Sequence, residues 1–130
     1  MSYTPDTPIA GPSQGSADAW YVWAADRGAA RLPDVRLYLD TVYEFAPRCN
    51  LKAHVIVTQS IHETSNGTVG WVSPWWKERC NPAGIGITGD PAQNAASRVF
   101  KHGREAALAH LVHAYLYVHG KELPAGLTPD

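Results

Sequence analysis

The chain has 130 residues, the length of one domain, which is enough to bury a core without a metal ion or a disulfide. Its 11 basic and 12 acidic residues give a net charge of −1, which argues against a nucleic-acid binder that works by neutralising phosphates. No apolar run reaches the roughly 18 residues of a transmembrane helix, so we expect no membrane span. Five Trp and six Tyr against two Phe are typical of a surface that is both adhesive and wet.

The N-terminal half predicts a lead-in and two helices. Residues 1–15 hold three Pro and no apolar period, which indicates a flexible segment. Ser16 is a candidate N-cap for a helix over 17–30. A second helix begins near Pro33 and ends at Pro47, and its apolar face consists of Val35, Leu39, Val42 and Phe45.

Asn50 is predicted to cap a third helix that runs from Leu51 to about Ser65. This helix is apolar on almost all sides, as expected of one buried centrally. Residues 66–91 are rich in Gly, Pro and Trp without a helical period, which predicts a structured loop region, with short strands possible over 84–88 and 97–100. A fourth helix is predicted over 103–119, with a stripe formed by Leu108, Leu111, Val112 and Tyr115.

These elements predict a mainly α fold of α+β type, with one long Gly/Trp-rich insertion after the central helix. The insertion forms either a loop or a small β-hairpin lobe. We expect one folded domain over 16–122, followed by a C-terminal tail over 123–130, and no second domain. Cys49 and Cys80 occur in no metal or redox motif, and buried free thiols are the favoured interpretation, although pairing stays open.

The acidic residue near the end of the central helix is the first candidate for chemistry. The helix dipole disfavours a negative charge at that end, and burial would disfavour ionisation. Both effects would raise the pKa of the Glu63 carboxyl, as a general acid requires. The alternative is a solvated Glu at a frayed helix end. A zinc-protease motif would need a second His four residues after His62, where Asn66 stands, so no metal site is predicted.

Glu63-Thr64 at the end of an apolar helix, an aromatic-rich loop and the segment Asn81-Pro82-Ala83-Gly84-Ile85 together resemble the glucosaminidase family. This is the endo-β-N-acetylglucosaminidase group of peptidoglycan hydrolases, within the lysozyme-like superfamily. The resemblance covers roughly residues 51–119. The chain departs from many relatives after Glu63-Thr64, where Ser65-Asn66-Gly67 replaces a Gly-Trp-Gly type of sequence.

The resemblance implies that Glu63 protonates the leaving oxygen of a β-1,4 glycosidic bond. Candidate second carboxylates are Glu78 and Asp90, with Glu78 preferred. A tyrosine on the closing helix would position substrate or water, and this role is assigned to Tyr117. Tyr115 fits the apolar stripe and is a candidate substrate contact at most.

The remaining candidates are substrate-binding residues. Gln59 stands one turn before Glu63 and could hydrogen-bond that carboxyl or a sugar hydroxyl. Sugar rings pack their C–H faces on indole, so the loop tryptophans would form a sugar-facing wall, although adjacent tryptophans cannot both face it. These tryptophans are Trp71, Trp75 and Trp76. The small-residue turn could bind an N-acetyl group through its backbone, and its residues are Asn81, Gly84 and Ile85.

The resemblance therefore implies a hydrolase of peptidoglycan glycan strands that acts on the cell wall, outside the cell or delivered by a phage. We expect this hydrolase to be monomeric and to need no cofactor. The N-terminal residues show no signal-peptide pattern. Two alternatives stay open. A lytic transglycosylase would use the same Glu63 as acid and base, and a non-catalytic module would bind the glycan without cleaving it.

Overall fold

A computed structural model describes residues 15–66, 69–85 and 99–119, apart from the side chains of Tyr117 and His119. The described chain is mainly helical, as predicted. Its elements are α1 (Ala17–Asp26), α2 (Leu32–Phe45), a 3-10 turn (Pro47–Cys49), α3 (Ala53–Glu63), α4 (Pro74–Arg79) and α5 (Gly103–His119). The predicted C-terminal tail, the predicted lead-in apart from Gly15, and residues 86–88 and 97–98 of the two predicted strands lie outside these ranges. The parts of those strands inside them, 84–85 and 99–100, are not in strand conformation.

The first helix has the predicted cap but is shorter than predicted. The Ser16 hydroxyl accepts a hydrogen bond from the amide of Ala19 at 3.1 Å, which confirms the cap. The helix ends at Asp26 instead of Ala30, because the chain turns out of it at Gly28, whose φ of 81° favours glycine. The second helix has the predicted buried face.

The central helix, α3, begins two residues later than predicted. Asn50 adopts a left-handed conformation (φ 53°) and closes the preceding 3-10 turn, so its prediction as the cap of α3 is wrong. Central burial is confirmed, because the first five residues of α3, 53–57, are all buried. The predicted aperiodic region after α3 contains α4, a six-residue helix with Pro74 in its first turn. Six residues are too few to show a hydrophobic period.

The start of α5 packs directly against the backbone of α2. A Cβ atom placed on Gly103 would lie 2.7 Å from the carbonyl carbon of Asp34 and 2.8 Å from the amide nitrogen of Tyr38, and closer still to the Asp34 carbonyl oxygen. The Gly103 amide donates to the Asp34 carboxylate at 2.9 Å, and Arg31 donates to the other oxygen of that carboxylate. Glycine is therefore required where α5 meets α2.

Arginine side chains lie over aromatic rings at the surface. The guanidinium carbon of Arg27 is 4.6 Å from the ring centroid of Trp23, and that of Arg79 is 5.0 Å from the ring of Trp75. Both distances are within the range of cation–π attraction. The other stacks are Arg36 over Tyr21, and Arg48 and Arg104 over Phe45.

Both cysteines are free and buried, as the favoured interpretation predicts. Burial raises the pKa of each thiol, that of Cys80 to about 12, which keeps both thiols protonated and unreactive. A helix long and apolar enough to cross a membrane does not occur in the described ranges.

Candidate active site

The Glu63 side chain is exposed at the last residue of α3. The helix is buried along its first half and emerges at the surface at its C-terminal end, where His62 is exposed as well. The expected burial of the Glu63 carboxyl is therefore wrong, and the side chain is solvated as in the alternative interpretation. An exposed carboxyl on the end of a buried helix is nevertheless accessible to a ligand while its backbone is held by the core.

The residue after Glu63 fastens the following chain to the helix. The Thr64 hydroxyl donates to the Ser60 carbonyl at 2.6 Å and accepts from the Trp71 amide at 2.8 Å. The Thr64 carbonyl accepts from the amides of Val72 and Ser73 at 3.1 and 3.0 Å. We call this set of bonds the Thr64 clasp. The Thr64 side chain is fully buried. The clasp therefore holds residues 71–73, at the far end of the loop, against the C-terminal end of α3.

Close backbone packing adjoins the clasp. A Cβ on Gly70 would lie 2.9 Å from the Cγ2 atom of Ile61 and 3.0 Å from its Cα atom. The loop therefore crosses the last turn of α3 with no space for a side chain. Trp71 follows with a φ of 57°, which turns the chain back towards Thr64.

The sugar-facing wall predicted from three tryptophans needs correction. Trp71 and Trp76 have no exposed surface and are core residues. The Trp71 indole donates to the Ser60 hydroxyl at 2.9 Å, and the Trp76 indole donates to the Ala30 carbonyl at 2.8 Å. Trp75 is half-buried, so of these three tryptophans it is the one whose ring reaches the surface.

The predicted N-acetyl-binding turn is built around the side chain of Asn81. Its amide oxygen accepts from the backbone of Ala83 and Ile85 at 3.3 and 3.0 Å, and its amide nitrogen donates to the Ile85 carbonyl at 2.9 Å. Asn81 is fully buried and Ile85 is 7% exposed, so a ligand at this turn would meet the backbone, as predicted, and not these two side chains. Gly84 has a φ of 64°, which the turn requires, and its backbone is half-exposed.

The candidates for a second catalytic group are two carboxylates, Glu78 and Asp90, and a tyrosine of the last helix. Glu78 is exposed on α4, and no hydrogen bond or ion pair between it and Glu63 occurs among the described residues. Asp90 and the side chain of Tyr117 lie outside the described part. Tyr115 is half-buried and packs against the core, in agreement with its position in the apolar stripe.

A buried polar cluster beneath the helix end was not predicted. The Tyr38 hydroxyl lies 2.9 Å from Nδ1 of His110, and the two rings stack with centroids 6.1 Å apart. On its other side the His110 ring places Nε2 3.3 Å from the amide oxygen of Gln59. Burial raises the pKa of the Tyr38 hydroxyl.

Sequence patterns carry little signal for this cluster. His110 and His113 indicate a polar face of the last helix, with imidazoles partly buried. The structure buries His110 and exposes His113. Tyr38 lies between Val35 and Leu39 on the apolar face of α2, so it is indistinguishable from a packing residue. Its pairing with His110 is a contact between distant parts of the chain, which local periodicity does not encode.

Folding stability is expected to fall as the pH is lowered from about 6.5 to 5. Burial, with a smaller contribution from His113, lowers the pKa of His110 to about 3, and burial also lowers that of His54. The unfolded chain takes up these protons near pH 6.5, whereas the folded chain takes them up only at a lower pH. The stabilisation is therefore complete above pH 6.5 and is lost as the pH falls towards 3. For one proton, the free energy of unfolding falls by about 2 kcal/mol over these 1.5 pH units.

Urea unfolding at pH 7, 6 and 5 measures this loss. The control is His110→Gln, which has no titratable group at that position and should show a pH dependence smaller by about one proton. Equal pH dependence in the two proteins would contradict the assignment to His110, whatever their absolute stabilities.

A cluster of three or more His, Cys, Asp or Glu able to hold a metal ion does not occur within the described ranges. The site therefore consists of an exposed carboxyl, the Thr64 clasp that holds its backbone neighbours, and the partly exposed amide of Gln59 one turn before it. Comparison of the chain with protein-family models, with curated proteins and with solved structures gives no match.

Proposed function

We propose that this protein hydrolyses glycan strands of bacterial peptidoglycan, cleaving a β-1,4 bond between N-acetylated amino sugars with Glu63 as the general acid. The observation that supports the proposal most is the exposed carboxyl of Glu63 at the end of a buried helix. The resemblance of residues 51–119 to the glucosaminidase family supplies the substrate class. A lysozyme-like arrangement and a monomeric state belong to the same proposal.

Glycoside hydrolysis needs a proton donor at a fixed position beside the leaving oxygen. Glu63 satisfies the positional requirement because its backbone is the last turn of α3 and the next residue is held by the Thr64 clasp. A catalytic group held by rigid elements keeps its geometry better than one on a free loop. The carboxyl delivers its proton to the glycosidic oxygen as the bond to the anomeric carbon breaks.

The oxocarbenium-like transition state then needs a negative charge, a positioned water or the acetamido group of the substrate itself. Glu78 is the proposed second carboxylate. It lies on α4, which begins directly after Ser73, whose amide is bound to the Thr64 carbonyl. The helix that carries Glu78 is thereby joined to the end of α3 that carries Glu63. Tyr117 on α5 is the proposed phenol that positions substrate or water.

The ring of Trp75 is half-exposed, and the part of it that Arg79 leaves uncovered is the proposed platform for a sugar ring. It stands on α4, three residues before Glu78, and consecutive turns of a helix bring such positions to one side. Glycan bound on this ring would lie along α4 and reach the carboxylates at one end. Tyr115 and the backbone at Gly84 are further proposed contacts for the glycan.

Digestion of purified peptidoglycan tests the proposed reaction. The expected product is a muropeptide or disaccharide with a free reducing end, detected by borohydride reduction followed by mass spectrometry. A 1,6-anhydro end would identify a lytic transglycosylase instead. Sedimentation of the protein with peptidoglycan, without any soluble product, would identify a non-catalytic binding module.

A further inference from the structure

The buried polar cluster forms one continuous chain of hydrogen bonds. It runs through three side chains: Tyr38, His110 and Gln59. Its Tyr38 end is fully buried in the core. Its Gln59 end is half-buried and lies one turn before Glu63. The chain therefore connects the interior to the surface at the candidate site.

The direction of this chain follows from what each group can donate. Burial lowers the pKa of His110 to about 3, so its imidazole is neutral and has one nitrogen that donates and one that accepts. The Tyr38 hydroxyl then donates to Nδ1 of His110 at 2.9 Å. Its other acceptor, the carbonyl of Ile56, is farther away at 3.4 Å. His110 is therefore neutral, with its proton on Nε2.

This tautomer sets the orientation of the Gln59 amide. Nε2–H of His110 donates to the amide oxygen of Gln59, which turns that oxygen inwards. The amide nitrogen has no acceptor among the described residues, and it is not a buried unpaired atom. Gln59 and Glu63 are four residues apart on α3 and therefore neighbours on one face. The face beside Glu63 thus presents two N–H donors and no amide acceptor.

We propose that Gln59 binds the acetamido carbonyl oxygen of an N-acetylated amino sugar, with His110 and Tyr38 as positioning residues that hold its donors outwards. A carbonyl oxygen only accepts, so it matches this face, whereas the ammonium group of a de-N-acetylated sugar only donates and opposes it. The inference rests on the proposed function and adds to it a preference for acetylated glycan.

The decisive variant is Gln59→Glu. A carboxylate keeps an inward oxygen for His110 but presents an outward acceptor in place of the two donors. Binding is measured by calorimetry in the Glu63→Gln background, where turnover is removed, with fully N-acetylated and fully de-N-acetylated oligosaccharides of equal length. With Gln59 present, we expect at least about a tenfold preference for the acetylated glycan. Gln59→Glu should abolish or reverse it.

Gln59→Ala is the matched control, because it removes the donors without adding an acceptor. Its preference for acetylated over de-N-acetylated oligosaccharide should lie between that of the chain with Gln59 and that of Gln59→Glu. His110→Phe and Tyr38→Phe test positioning. Loss of orientation frees the amide to rotate, so each variant should lower the ratio of the two affinities. A purely structural role would lower both affinities by the same factor and leave the ratio unchanged, which would overturn the positioning role.

The tautomer has a readout that does not depend on activity. Nitrogen-15 NMR of the full chain should show Nε2 of His110 as a protonated nitrogen and Nδ1 as an unprotonated one. A proton on Nδ1 would overturn the inference. Binding of both oligosaccharides with equal affinity would overturn the inference alone. Binding of neither one, with no product from peptidoglycan, would overturn the proposed function and the acetamido contact together.

Discussion

Replacing Glu63 by Gln is expected to lower the rate of peptidoglycan hydrolysis by about 10²–10⁴-fold. The amide has nearly the same shape but no acidic proton for the leaving oxygen. The Glu63 side chain is exposed and Thr64 forms the clasp, so folding should be unchanged. Release of reducing ends measures the rate, and sedimentation with peptidoglycan measures binding, which should persist.

Glu44→Gln is the matched control for this substitution. Glu44 is also a solvent-accessible glutamate on a helix. Its carboxylate forms ion pairs with Arg48 and with Arg104, and Arg104 lies at the start of α5. Its loss should leave the rate within about twofold, since surface ion pairs contribute little to stability. Hydrolysis by Glu63→Gln at the wild-type rate would exclude Glu63 as the acid. A Glu78→Gln variant at full rate would exclude Glu78 alone.

Replacing Gly103 by Ala is expected to destabilise the fold by at least about 3 kcal/mol, or to prevent folding. The added Cβ would overlap the backbone of α2 at Asp34 and Tyr38, and backbone atoms within a helix cannot move aside as the end of a side chain can. Separation of the helices would also stretch the bond from the Gly103 amide to the Asp34 carboxylate. Urea unfolding monitored by circular dichroism measures the loss.

Gly28→Ala is the control that separates steric overlap from backbone strain. A Cβ on Gly28 meets nothing within 4 Å, but the φ of 81° disfavours any side chain. That substitution should cost about 1 kcal/mol. If the two variants lost equal stability, the close packing of α5 on α2 would not be the cause.

The helices were predictable wherever a local pattern is long enough. The apolar face of α2, the Ser16 cap and the burial of α3 all follow from spacing within one element. The end of α1 and the cap of α3 were wrong because the conformations of Gly28 and Asn50 depend on turns that periodicity does not describe. The six residues of α4 are too few to show a hydrophobic period.

The candidate site was predictable in part. Glu63 stands at an exposed helix end, and Gln59 lies near it, both as spacing along α3 requires. The tryptophans show the limit, since composition indicates an aromatic surface but does not tell which ring is covered. Trp71 and Trp76 are covered because their indoles find acceptors at Ser60 and Ala30, two contacts made by tertiary folding.

The arginines stacked on aromatic rings have a consequence for behaviour in concentrated solution. Rings such as those of Trp23 and Trp75 lie partly at the surface, and apolar rings that face water promote association between molecules. A guanidinium laid over such a ring covers part of its apolar face with a charge, and a charge resists removal from water. An aromatic-rich domain with a net charge of only −1 has little overall repulsion between its copies. The stacked guanidinium groups therefore supply locally the resistance to aggregation that the total charge does not.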